Sequence, residues 1–362
     1  MSQRGSRKYR SAITKGVLAS LLLIFSACGY DSLKDFATAN SVERGGTGAN
    51  PNGDPGALLV AEKPIHSGQV QTSGSIGVFK KILIGDADTI SLEKPVGVSG
   101  RGNFLYVVDA DKRVVVKVDL ETRFFTLFAT VGSYFVGDPG KIYVDDDFSF
   151  YITDAVGKRV IKFDAEGKMA GTFSEPSNLS RPIDVKVVTL PGSNTKEVWV
   201  ADGSYSHIVR FDMNGVALSR IGQRGTGEGR FRAITGFTVV DNDVYIVDRL
   251  EFPIQVLDIN GSFKTHFGDN LLRYPTAVEV EPQLHYTFVS DKLDNYIYIF
   301  QAGVMAGKVG GTGSAPGRFR EIGALWTDGQ KLYVADTLNK RVQVMRIQSA
   351  ITTVPTKSRQ IP

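Results

Sequence analysis

The sequence predicts an all-β protein, a closed six-bladed β-propeller, and three observations predict it. The segment Leu105-Tyr106-Val107-Val108-Asp109 returns at 150–154, 198–202, 244–248, 287–291 and 332–336, each time ending in aspartate. The six aspartates, Asp109, Asp154, Asp202, Asp248, Asp291 and Asp336, stand 43 to 48 residues apart, and an aromatic residue lies three positions before each. No convincing amphipathic helix separates the repeats. A period of ~45 residues made of short β-rich segments is that of a propeller, one blade per repeat.

Each repeat divides into four strands. An inner strand follows a turn, often one with proline, at 95–98, 139–144, 182–188, 236–240, 275–280 and 323–327. The aromatic segment is the second strand. A third begins near a basic or polar residue and alternates, as in Arg159-Val160-Ile161-Lys162-Phe163 and His207-Ile208-Val209-Arg210-Phe211; β-branched and apolar residues at period two mark half-buried strands. Hairpin signals follow at Glu166-Gly167, Asn214-Gly215, Asn260-Gly261 and Ala302-Gly303. A fourth strand then runs to a glycine. The last repeat lacks its fourth strand, and Val78-Phe79-Lys80-Lys81-Ile82-Leu83-Ile84, ending at Gly85, supplies one at the other end of the chain. The sequence therefore predicts a ring closed by an N-terminal strand that completes the last blade, which removes exposed sheet edges.

The 362 residues, 42% hydrophobic and 10% aromatic, suit a globular protein. Residues 1–15 are basic, and 16–25 form a ten-residue apolar run, short for a bilayer span and suited to the core of a signal peptide. Ser26 and Ala27 then precede Cys28, the single cysteine. These residues resemble the lipobox of bacterial lipoproteins, with Phe25 where that family has an aliphatic residue. The resemblance implies that 1–27 is a lipoprotein signal peptide and that Cys28 carries acyl chains such as palmitate. It implies a membrane anchor in the bacterial envelope, in the outer membrane of a Gram-negative host because Gly29 replaces aspartate. Removing the five basic residues of 1–27 from a formal charge of +4 leaves −1. The basic balance thus belongs to the leader, and no nucleic-acid binding is expected. Residues 28–74 read as a lipidated cysteine and flexible tether, 75–348 as the propeller and 349–362 as a disordered tail.

The units resemble NHL repeats. The match is closest in Leu332-Tyr333-Val334-Ala335-Asp336-Thr337-Leu338-Asn339-Lys340-Arg341-Val342-Gln343-Val344 and in the glycine-rich loop 310–319, echoed by 222–231. The resemblance covers about residues 76–347 and implies six blades. Pro253 and Tyr296 stand where the pattern has arginine, and Arg113 comes one residue early.

For the aspartates the expected role is structural: each ends a strand, caps the next turn and, in Asp154 and Asp336, pairs with Arg159 and Arg341. His66, His207, His266 and His285 lack the spacing of a metal motif, so no metal site is assigned, with calcium in the central channel left open. Ser204, His207 and Asp202 lie in one short turn, where a catalytic alignment is not expected, and no catalytic residue is assigned. Arg224, Arg230, Phe231, Arg232, Arg318, Phe319 and Arg320 are the candidate binding residues, read as an arginine and aromatic rim on adjacent inter-blade loops. The expected function is a monomeric, lipid-anchored binding or scaffolding module for an envelope protein or polysaccharide. The alternative is a metal-dependent propeller enzyme resembling peptidyl-hydroxyglycine lyases, or lactonases and esterases.

Overall fold

The computed structural model describes residues 58–69 and 89–348. The chain begins with three short strands, β1 (Leu59–Ala61), β2 (Ser67–Gln69) and β3 (Thr89–Ser91). Blade 1 holds β4 (Pro95–Arg101), β5 (Phe104–Asp109), β6 (Val114–Asp119) and β7 (Phe125–Thr130), and blade 2 holds β8 (Ile142–Val144), β9 (Phe150–Asp154), β10 (Arg159–Phe163) and β11 (Met169–Phe173). Blade 3 holds β12 (Pro182–Thr189), β13 (Lys196–Asp202), β14 (His207–Phe211) and β15 (Ala217–Ile221). A two-residue pair follows, β16 (Gln223–Arg224) and β17 (Arg230–Phe231). Blade 4 holds β18 (Ile234–Val240), β19 (Asp243–Asp248), β20 (Ile254–Asp258) and β21 (Phe263–Phe267), and blade 5 holds β22 (Pro275–Glu281), β23 (Tyr286–Asp291), β24 (Tyr296–Gln301) and β25 (Val304–Gly310). Blade 6 holds β26 (Ile322–Thr327), β27 (Lys331–Asp336) and β28 (Arg341–Ile347). Each blade is an antiparallel meander, and the inner strands pack in order around the axis, β26 against β4 closing the ring. The six-bladed propeller read from the repeat period is the observed fold.

The core explains the sequence pattern. It divides into six clusters, one between each pair of neighbouring blades. The repeated aromatic residue occupies these seams: Tyr106 between blades 1 and 2, Trp199 between 3 and 4, Tyr333 between 6 and 1. Second strands are therefore covered on both faces and read as continuous apolar runs, whereas the fourth strands β11, β15 and β21 are solvated along most of their length.

Five inner strands carry a register shift beside their first residue, as between Pro182 and Asp184. Blade 2 differs, and its inner strand starts at Ile142 rather than Pro139. There the Thr153 hydroxyl accepts the Lys141 N–H at 3.0 Å, which takes that donor out of a regular ladder. Third strands end alike. Asp119, Asp164, Asp212 and Asp258 each accept backbone N–H groups of the hairpin that follows, and these contacts hold Asp212 and Asp258 below the usual carboxylate range.

The closing strand is a correction. β1 completes blade 6, Leu59 opposite Ile347 and Ala61 opposite Met345, and Ile65 bridges to Val342. The expected segment 76–85 lies outside the described residues, as do 1–57, 70–88 and 349–362 with their signal-peptide, lipidation and tail assignments. The propeller consequently begins inside the stretch read as tether. The repeat favoured 78–84 because it is longer, rich in β-formers and ends at a glycine like the other fourth strands. Three residues suffice for closure because Leu59 and Ile65, 4% and 3% exposed, enter the seam clusters. β2 and β3 then pair with each other, and Gly68 of β2 lies against Phe125 of blade 1.

Leu59→Ala should cost about 2–4 kcal/mol and lower the melting temperature by several degrees. A chain starting at residue 66 should lose more. An unchanged melting curve for both would show that β1 does not hold the ring.

Candidate functional site

The second strand of every blade ends in an aspartate that is fully buried. Its carboxylate does two jobs. It accepts N–H groups of the turn that follows, and it reaches back to the connection that enters the blade. Asp202 is the fullest case, taking Ser180 and Arg181 at 2.6 Å from the connection, and Ser204 and Tyr205 at 2.7 and 2.6 Å from the turn. Asp109 takes Glu93 and Lys112, Asp248 takes Arg232, Ala233 and Leu250, and Asp291 takes Arg273, Tyr274 and Leu293. Asp154 holds Val136 and Gly157, and Asp336 holds Arg320 and Asn339. Arg159 and Arg341 approach Asp154 and Asp336 at 3.5 and 2.7 Å, the pairing expected from the repeat. Turns and connections lack ladder partners, so a buried anion surrounded by N–H donors satisfies them together.

In several blades a side chain near the start of the third strand fixes more of a connection. Arg341 donates to the carbonyls of Ser314, Ala315 and Arg318. In blade 4, Gln255 takes over, bonding the Arg230 carbonyl and the Gly229 N–H. In blade 3, His207 donates Nε2–H to the Asn178 carbonyl at 2.7 Å, which commits that nitrogen to the connection. Arg113 gathers the carbonyls of Gly132, Phe135 and Gly137 at 2.9 Å each, on the connection leaving its blade.

The two echoing glycine loops fold alike. Gly225 N–H meets the Phe231 carbonyl, Gly313 N–H meets that of Phe319, and a short parallel pairing closes each loop. Arg224, Arg230, Arg232 and Arg320 are exposed and Arg318 is half-buried. Two parts of the predicted rim are corrected. Phe231 and Phe319 are wholly buried in the seams, because each must fill the space beside a side-chain-free glycine. A Cβ at Gly222, φ 76°, would lie 2.5 Å from the Phe231 ring. The loops are also not adjacent: one joins blades 3 and 4, the other blades 5 and 6. Sequence reading missed Arg273, whose backbone N–H donates to Asp291 from the same position as those of Arg232 and Arg320. It stands two residues before the inner strand, as they do, and counting back from the predicted inner strands rather than from the aspartates finds it.

The central channel is closed by charge. Lys186 meets Glu279 at 2.6 Å, Lys141 meets Asp184 at 3.9 Å, and the Thr238 hydroxyl donates to Glu279. Burial alone would depress the Lys186 ammonium, but Glu279 and Asp184 more than offset it and hold it above its ordinary value. A void of about 10 Å³ lies among these side chains, on the scale of a single water. Among the described residues, no group of three or more His, Cys, Asp or Glu side chains is placed to hold a metal. A wider, open concavity of about 1050 Å³ runs along β15 at the rim of blade 3, past Asn178, Tyr205, Arg220 and Arg224. Arg220 donates to the Asn178 side chain at 2.8 Å.

Comparison places the chain by fold. No family model matches it, and no curated protein matches it. A solved streptogramin B lyase is similar at 10% identity over 79% of this chain and 98% of that one, with a TM-score of 0.51. The computationally designed Ika8 protein is similar at 15% identity over 71% of each chain, with a TM-score of 0.43.

Asp202→Ala should destabilise the propeller by about 3–5 kcal/mol, because four part-buried N–H groups lose their buried acceptor; Asp212→Ala, on an exposed hairpin, should cost a fraction of that in denaturant unfolding. Burial also holds the His207 imidazole below its ordinary value. Its stabilising effect is therefore present above about pH 6.5 and is lost as pH falls toward the folded-state value. His207→Gln should remove this part of the acid sensitivity, read as the difference in stability between neutral and mildly acidic buffer.

Proposed function

We propose that this chain is a lipid-anchored recognition module of the bacterial cell envelope. Its NHL-like propeller binds an envelope protein or polysaccharide through the face bearing the six buried aspartates. The observation that carries this reading is that the connections on that face are held rigid from below while their arginine side chains stay exposed and outside any ion pair among the described residues. Arg224, Arg230, Arg232 and Arg320 are exposed on loops whose backbones are fixed by Asp248, Gln255, Asp336 and Arg341. Rigid display of guanidinium groups lowers the ordering cost of binding, and arginine is enriched in interface anchors. Cys28, preceded by the apolar run 16–25, supplies the anchor, and the residues up to Leu59 supply reach.

The test is crosslinking in intact cells with the full-length protein, comparing it with a variant in which Arg224, Arg230, Arg232, Arg318 and Arg320 are alanine. One dominant partner, lost in the variant at unchanged melting temperature, is the expected result. No partner at all, together with stoichiometric calcium or zinc that survives dialysis, would replace this reading with the metal-dependent enzyme.

A further inference from the structure

The repeat register brings a second pattern to the same face. Two positions recur in the blades, one on the incoming connection, where the buried aspartate accepts its N–H, and the other two residues past that aspartate. In blades 4, 5 and 6 these positions are Arg232 and Leu250, Arg273 and Leu293, and Arg320 and Leu338. Leu250 and Leu293 also donate their N–H groups to the aspartate, whereas Leu338 donates to the Arg320 carbonyl. Each blade therefore shows one arginine and one leucine at equivalent places. The three leucines are 51%, 55% and 61% exposed, although large aliphatic side chains at turn tips gain nothing from water. The three arginines are exposed too. Among the described residues none of them is in an ion pair, and Arg232 makes only a 3.4 Å side-chain contact with the Leu250 carbonyl. The nearby lysines are already engaged, Lys292 with Glu321 at 3.0 Å and Lys340 with Glu93 at 2.6 Å.

Blade 1 inverts the pattern. Its corresponding positions are Glu93 and Asp111. The face is thus polarised, with guanidinium and aliphatic groups over three successive blades and carboxylates at the next. Both blade 1 carboxylates are already paired, Glu93 with Lys340 at 2.6 Å and Asp111 with Lys94 at 3.5 Å. An acidic partner therefore meets guanidiniums outside any ion pair over blades 4, 5 and 6, and its electrostatic match ends where they end.

We propose that the arc across blades 4, 5 and 6 is the docking surface for an acidic protein segment in which carboxylates alternate with apolar side chains. The carboxylates meet the three guanidiniums, whose planar forks suit two-point hydrogen bonding to carboxylate, and the apolar side chains cover the three leucines. The proposal rests on the recognition-module reading and names the partner class for that face.

The test uses the detergent-solubilised full-length protein and a labelled synthetic peptide of alternating glutamate and leucine with serine spacers. A lysine-for-glutamate peptide and phosphatidylglycerol vesicles serve as comparison probes. The acidic peptide should bind, and the lysine peptide should not. R232A/R273A/R320A should weaken binding roughly tenfold or more, as should L250S/L293S/L338S. Raised salt should weaken it further, and R232E/R273E/R320E should reverse the preference. All variants keep the backbone N–H groups that cap the aspartates, so their melting temperatures should match the parent's. Equal binding by parent and variants overturns the proposal, as does vesicle binding through the same arginines without peptide binding. A partner crosslinked in cells but insensitive to the arc variants would keep the recognition module and remove this docking surface; no partner on any face would remove the module itself.

Discussion

Six buried carboxylates set the geometry of this propeller's working face. Each sits at the end of a second strand with no solvent access and gathers N–H donors from two stretches of chain far apart in sequence. Without that anion, the turn after the strand and the connection before the blade would each leave donors buried and unpaired, at a cost of about 1–3 kcal/mol apiece. The constraint is local, but it repeats around the ring. It also decides which side chains can face outward, because a backbone fixed by its N–H groups leaves the side chains above it free.

The two faces use aspartate differently. On the first face the carboxylates are hidden beneath the loops, and arginines and leucines stand above them. On the opposite face Asp119, Asp212 and Asp258 cap hairpins in the open. Asp145 and Asp146 there pair with Lys196 at 2.7 and 3.1 Å. One residue type thus stiffens both ends of the blades, and burial makes the difference between a cryptic charge and a displayed one. The channel between the faces is filled by opposed charges, Lys186 with Glu279 and Lys141 with Asp184. In the proposed reading, recognition therefore falls to the loops rather than to the axis.

Departures from the repeat are informative for the same reason. In blades 3 and 4, where arginine is absent at the start of the third strand, another donor holds the connection: His207 and Gln255. In those blades a donor is maintained rather than a residue type. Arg113, with φ 54°, turns instead to the connection leaving its own blade, and the paired strands β2 and β3 lie against β7 of blade 1.

By itself the sequence determined the architecture. Alternation and a 43 to 48 residue spacing are local properties, and strands buried between neighbouring blades must be apolar on both sides wherever they fall. The aspartates, the hairpin turns and the Arg159 and Arg341 pairings were legible for that reason. Tertiary structure decided the rest. It chose Leu59–Ala61 over the longer segment 78–84 to close the ring, since closure depends on which side chains fill the seam between blades and not on strand length. It buried Phe231 and Phe319, because a glycine loop hides its aromatic against the blade beneath. It also separated the two arginine loops by two blades and aligned Arg273 with Arg232 and Arg320. Adjacency on a ring is set by blade order and backbone register, and side-chain spacing along the chain does not encode either.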